Sequence, residues 1–209
     1  MKCLTFAGET DIAYLGGYSG TVFRTDAGVL FDGDLSWVGA QLPDTDHPVL
    51  GLAFLDADTG YAVTGGMKAW WTTTGGANWA EVAISSPPST QALNAVATFG
   101  DGSRAIAAGA AGLVLVRNGT RFQVVDLSGL IGATQLNDVA ILGGGTRIVV
   151  AGNDGLIVGW AGSDFADALV PSNWFVPKSM TETSIVAVSF DAVDHGFAIG
   201  QQGLVVEYD

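Results

Sequence analysis

The sequence predicts an all-β chain: a five-bladed β-propeller of four-stranded antiparallel blades, with the last blade three-stranded. Three observations predict it. Short apolar runs separated by Gly-containing turns recur five times, at a spacing of 43 to 48 residues. Gly is abundant at 30 residues, while hydrophobic residues make up 48% and charged residues only 14%, which suits many short strands joined by tight turns and not disorder. Asp outnumbers Glu by 17 to 4 and there are three Lys, so the acidic residues favour turns over helices.

Each repeat opens on an apolar run: CLTFAG (3–8), LGLAFLD (50–56), LNAVATFG (93–100), LNDVAILG (136–143) and IVAVSFD (185–191). A small-residue run follows: IAYLGG (12–17), YAVTGG (61–66), RAIAAG (104–109), RIVVAG (147–152) and FAIG (197–200). Next comes a tight turn, GYSG (17–20), GGMK (65–68), GAAG (109–112), GNDG (152–155) or GQQG (200–203), and then a third run. Four copies continue into Gly-x-x-aromatic: GVLF (28–31), GANW (76–79), GTRF (119–122) and GSDF (162–165). The chain therefore reads as one domain, with blades at approximately 1–48, 49–92, 93–135, 136–184 and 185–209. A single sheet cannot bury both faces, but blades stacked around an axis cover one another. Small residues such as Ala105, Ala107, Ala108 and Gly109 suit inner positions, and the aromatics suit the wider outer gaps.

The fifth copy reaches only its third run, so 19 strands are expected, with Leu204, Val205, Val206, Glu207 and Tyr208 forming an open edge. Such edges invite pairing with another chain. Three outcomes are open: Glu207 and Asp209 blunt the edge with charge, a partner chain or second copy adds a strand, or the 166–184 connection folds back over it.

Net charge is -13 and the pI is about 4.1, which disfavours nucleic acid and anionic membrane surfaces. Such acidity fits an ordinary soluble surface, a high-salt habitat or an exposed particle surface. Cys3 is the single cysteine, so no internal disulfide forms. No signal peptide is evident and no apolar run approaches the ~20 residues of a membrane span. The expectation is cytoplasmic synthesis, with a final location in the cytoplasm or in a virion or other particle.

Phe54–Val63 followed by Thr72–Trp79 resembles the repeat of Asp-box propellers, also called bacterial neuraminidase repeats. The chain is most similar to the photosystem II assembly-factor-like subgroup, and Ser189–Gly200 has the same look. The box reads Ser/Thr-x-Asp-x-Gly-x-x-Trp. Thr72, Gly76 and Trp79 fit it, with Thr74 at the Asp place; the first copy has Asp26, Gly28 and Phe31, with Arg24 at the Ser/Thr place. The resemblance implies a propeller in which the box is a structural turn between outer strands. Sialidases of the superfamily use an Arg cluster with a Tyr–Glu pair. Here Arg24, Arg104, Arg117, Arg121 and Arg147 fall at varied positions, and Glu9, Glu81, Glu182 and Glu207 are the only Glu residues. The basic patch implied for the assembly factors has no counterpart in eight scattered Lys and Arg.

No spacing marks a catalytic, cofactor or metal site. Asp56–Gly60 supplies two carboxylates where a calcium loop needs more, and the pairs Asp32/Asp34 and Asp44/Asp46 are weaker still. His47 and His195 are isolated, and GGGT (143–146) is a lone Gly turn. Trp37, Trp70, Trp160 and Trp174 are the candidate ligand or partner aromatics, with Trp37 and Trp174 expected in long inter-blade connections. The resulting expectation is a non-enzymatic interaction module within a larger assembly, such as a particle surface. The alternatives are a glycan-binding propeller for surface attachment and, third, a degenerate glycosidase.

Overall fold

Alternation along a strand sends successive side chains to opposite faces of its sheet, and in this chain each face meets a different neighbour. The computed structural model describes residues 1–8, 10–25, 36–87, 91–178, 181–190 and 195–208. They form five sheets in chain order. The first blade comprises β1 (Cys3–Phe6), β2 (Ala13–Gly16), β3 (Thr21–Thr25) and β4 (Trp37–Gln41). The second comprises β5 (Val49–Phe54), β6 (Gly60–Thr64), β7 (Ala69–Thr72) and β8 (Ala80–Val82). After the short β9 (Ile84–Ser85), the third comprises β10 (Leu93–Phe99), β11 (Arg104–Gly109), β12 (Val114–Asn118) and β13 (Phe122–Val125). The fourth comprises β14 (Leu136–Leu142), β15 (Arg147–Gly152), β16 (Ile157–Ala161) and β17 (Trp174–Phe175). The fifth has three strands: β18 (Ile185–Phe190), β19 (Gly196–Gly200) and β20 (Val205–Tyr208).

Four blades use one turn between second and third strands. Gly17, Gly109, Gly152 and Gly200 each donate an N–H to the carbonyl four residues on, at 2.9 Å. The turn carries two successive residues at positive φ: Ser19–Gly20, Ala111–Gly112, Asp154–Gly155 and Gln202–Gly203. Gly fills the second place because it takes that conformation without a Cβ penalty. In the second blade the equivalent opening residue is Thr64, whose N–H donates to the Lys68 carbonyl at 3.0 Å, one residue earlier than the expected GGMK turn. Its register was masked by the extra Gly65–Gly66 pair.

Other departures lie at the outer rim. The fourth strands of blades one and four begin at Trp37 and Trp174, inside segments expected to be connections. In blade four, 3₁₀ turns at Phe165–Leu169 and Pro171–Asn173 separate the Gly-x-x-aromatic signal from the strand that follows. Trp174 and Phe175 thus complete their own blade by pairing with β16, and among the described residues of 166–184 none pairs with β20. There are 20 strands among the described residues, one more than expected. The additional one, β9, runs parallel to β13 as the chain leaves the second blade and crosses to the third.

The core lies between blades. In β11, Ala105 and Ala107 pack toward the second blade while Ile106 and Ala108 pack toward the fourth. The second, third and fourth blades thus each have a leading face toward the predecessor and a trailing face toward the successor. In blades two to five the register skips one residue near the start of the first strand, at Leu50, Asn94, Asn137 and Val186. These four residues and Lys2 line an axial cavity of about 560 Å³, so all five blades curl around one axis. Asn94 donates to the Leu136 carbonyl at 2.7 Å and Asn137 to the Ile185 carbonyl at 2.8 Å, tying each blade to the next.

Candidate interaction surface

Thr72–Trp79 forms a turn between β7 and β8. The buried Thr72 hydroxyl accepts the Gly76 N–H at 3.1 Å, and the Thr74 hydroxyl accepts the Asn78 N–H at 2.9 Å. Thr74 therefore does for the turn what an Asp carboxylate would do, and the half-buried Trp79 packs edge-on against Phe54 at 6.1 Å. The corresponding first-blade residues Asp26, Gly28 and Phe31, together with Asp32, Asp34, Glu9, Asp191–Asp194 and Asp209, lie outside the described residues.

Three of the four candidate aromatics are packed inside. Trp70, Trp160 and Trp174 are buried, the last with its indole N–H donated to the Ala168 carbonyl at 2.8 Å. They cannot act as platforms, because facing blades cover their rings. Trp37 is half-buried on β4. The cations lie apart on aromatic rings, Arg24 over Tyr14, Arg104 over Phe99, and Arg117 over both Tyr61 and Trp71. Among the described residues no three His, Cys, Asp or Glu side chains come together. No helix among them is long and apolar enough to cross a membrane.

Asp44 and His47 make a polar knot where blades one and two meet. The buried Asp44 accepts from the Thr64 hydroxyl and contacts the His47 ring, both at 2.9 Å, with Lys68 at 3.9 Å. Burial alone would raise the Asp44 pKa, but the His47 and Thr64 hydrogen bonds and the Lys68 charge hold it below the ordinary carboxylate value. Burial pushes the Cys3 thiol up to about 11, so it remains a protonated packing group.

The expected edge is real. In β20 the Gly200–Leu204 hydrogen bond fixes the alternation, so Val205 and Glu207 point their backbone N–H and C=O groups away from β19. Their counterparts Val114 and Val116 use those groups to pair with β13. The Glu207 carboxylate lies 3.0 Å from the His195 ring, and the Tyr208 ring meets Phe190 edge-on at 6.0 Å.

A larger surface lies beside that edge, and sequence reasoning missed it. At the β2–β6–β11 position held by buried Tyr14, Tyr61 and Ile106, the fifth blade carries Phe197, 43% exposed. Ile199, 49% exposed, stands where Val63, Ala108 and Ala151 are covered. Val205, 65% exposed, stands where Val22, Ala69 and Val114 are covered. All three are on the trailing face. On the leading face of the first blade, Leu4 is 52% exposed, whereas its equivalents Leu52, Val96 and Val139 are buried. Phe6 and Phe23 share that face and are exposed too. Full burial of such a side chain gains about 1.5–3 kcal/mol. First strands pack on first strands in the successive pairs β1–β5, β5–β10, β10–β14 and β14–β18. Among the described residues no packing of that extent joins β18 or β19 back to β1. Among the described residues the ring is open there, and the side chains exposed on either side of the opening are apolar.

The comparisons with known proteins agree with this architecture. No family model matches the sequence, and no curated protein matches it. Among solved structures, YCF48 from Cyanidioschyzon merolae superposes with a TM-score of 0.65 at 18% identity, over 97% of this chain and 64% of that one. A chain from the COPII outer coat vertex on membranes gives 0.75 at 14% identity, over 98% and 56%. A chain from the COPII coat assembled on membranes gives 0.75 at 14%, over 98% and 31%. The likeness is one of fold. This chain spans less than two thirds of each of those chains.

Proposed function

We propose that this propeller is a non-enzymatic protein-interaction module and works as one part of a larger assembly. The observation that carries the reading is the set of strand positions, buried in the inner blades, that stand exposed on the first and fifth blades. Exposed apolar surface of this kind, beside an unpaired strand edge, marks contact with another protein. The fold is shared with chains of an assembled coat, and that is further support for an assembly role. Acidity disfavours nucleic acid as the partner. Residues Leu204–Tyr208 are part of the contact, because Val205 and Glu207 offer backbone groups to an added strand. A photo-cross-linking phenylalanine analogue at Tyr208 tests this in extracts of the source cells. The expected result is a discrete protein adduct absent when the analogue sits at Asn118, an exposed site on the third blade. Equal labelling from both positions overturns the reading.

A further inference from the structure

We infer that Asn118 is a site of spontaneous covalent modification: in the folded chain its carboxamide condenses with the backbone nitrogen of Gly119, loses ammonia and ends as isoaspartate or aspartate. The inference is independent of the interaction-module reading. Of the six asparagines, Asn118 alone is followed by Gly; Trp, Ala, Asp, Asp and Trp follow the others, and their side chains crowd the attacking nitrogen. Three of those others are also pinned. Asn94, Asn137 and Asn173 donate their amides to the Leu136, Ile185 and Asp167 carbonyls at 2.7, 2.8 and 3.0 Å. Asn118 is exposed, and among the described residues none holds its carboxamide by a hydrogen bond.

The turn from β12 to β13 supplies the geometry. Arg117 pairs with Phe122, and residues 118–121 between them are all exposed. Gly119 sits at φ +98 with open space where a Cβ would be, a conformation that glycine takes without steric cost. No side chain at residue 119 therefore shields its nitrogen. That nitrogen is restrained by donating to the Ser103 carbonyl at 3.1 Å, toward the long end of the hydrogen-bond range. In the reaction a solvent base takes the Gly119 N–H proton. The nitrogen bonds to Asn118 Cγ, the Cγ–Nδ2 bond breaks, and ammonia leaves with a proton from water. Water then opens the cyclic imide: cleavage at the backbone carbonyl gives isoaspartate, and cleavage at Cγ gives aspartate. The sum is water consumed, ammonium released and a carboxylate formed. That new charge arises amid three of the chain's five arginines. Arg104 is the cross-strand partner of Asn118, with its side chain on the same face, while Arg117 precedes it and Arg121 ends the same turn. Modification thus lowers the positive charge of the third blade's rim.

The test incubates the full chain in buffer enriched in heavy oxygen, folded in one sample and unfolded in urea in another. Pepsin digestion in acid then stops the reaction, and mass spectrometry locates the label. The expected result is heavy oxygen in the Asn118 peptide of the folded chain, at a rate that rises with hydroxide concentration and is about tenfold above that at exposed Asn78. Isoaspartate should exceed aspartate, and Asn118→Gln should remove the label from that peptide while the chain stays folded. Conversion in urea but not in the folded chain would show that the Ser103 bond locks the turn, and the inference would fall. Equal rates at Asn118 and Asn78, or no conversion in either sample, also overturn it.

Discussion

Asp138 of the fourth blade holds the fifth blade by its backbone: its Oδ2 accepts the Val188 N–H at 2.8 Å, and its Oδ1 accepts the N–H of Val139 at 2.9 Å. Burial pushes its pKa above the ordinary 3.8, against the lowering effect of those two hydrogen bonds. The folded chain thus keeps a proton that the unfolded chain releases. This group's contribution to stability is greatest below about pH 4 and falls as pH rises through the folded value. Asp138→Ala leaves the Val188 N–H without its partner, at a cost of about 1–3 kcal/mol. Urea unfolding measures the loss, and hydrogen exchange should show the Val188 amide losing protection first.

Tyr14 and Tyr61 repeat one device. From equivalent trailing positions, their hydroxyls donate to the Ala57 and Gly102 carbonyls of the following blade, both at 2.7 Å. Tyr→Phe at either site should cost about 0.5–1.5 kcal/mol. Burial raises the Tyr14 pKa to about 12, with nearby Arg24 opposing the shift. The stability it confers is intact below the ordinary value of 10 and is lost as pH rises toward 12. Spectrophotometric titration of the parent against Tyr14→Phe checks the direction.

The Asp44 knot works in the opposite sense. Its lowered pKa contributes stability that is present above the ordinary 3.8 and is lost as pH falls through the folded value. Thr64→Val removes one of the hydrogen bonds holding that pKa down. The variant should be less stable at pH 7 and begin its acid-induced loss at a higher pH than the parent. Circular dichroism followed from pH 7 to 2 decides it.

Truncations to Ala at equivalent positions of inner and end blades should have unequal effects. Ile106→Ala empties a fully enclosed site and should cost about 2–5 kcal/mol. Phe197→Ala, at the equivalent position of the fifth blade, removes a larger side chain yet should cost under about 1 kcal/mol, because the ring is already partly in water. Chemical unfolding of the two variants side by side provides the comparison; equal losses would show that the fifth blade's trailing face is covered.

The blade count was legible because the turn chemistry is local: Gly17, Gly109, Gly152 and Gly200 open the same turn wherever it occurs. The register of the second blade was less so, since Thr64 takes the place of that glycine and makes its side-chain contact with Asp44, 20 residues away. The fourth strand at Trp174 lacked a local signal, being two residues long and preceded by 3₁₀ turns. The apolar lips could not be read from strand pattern. Leu4 and Ile199 follow the same alternation as Val96 and Ala108, and their exposure depends only on whether another blade stands opposite.

An open ring, unlike a closed one, has ends, and the energetics of a linear repeat array follow from that. Among the described residues the third blade is supported on both sides, whereas the first and fifth each pack extensively on a single neighbour. Loss of structure should therefore begin at the ends and travel inward as fraying, the fifth blade opening before β10 and β11. A molecule seated between the ends would abolish that gradient, joining five semi-independent sheets into a single cooperative transition.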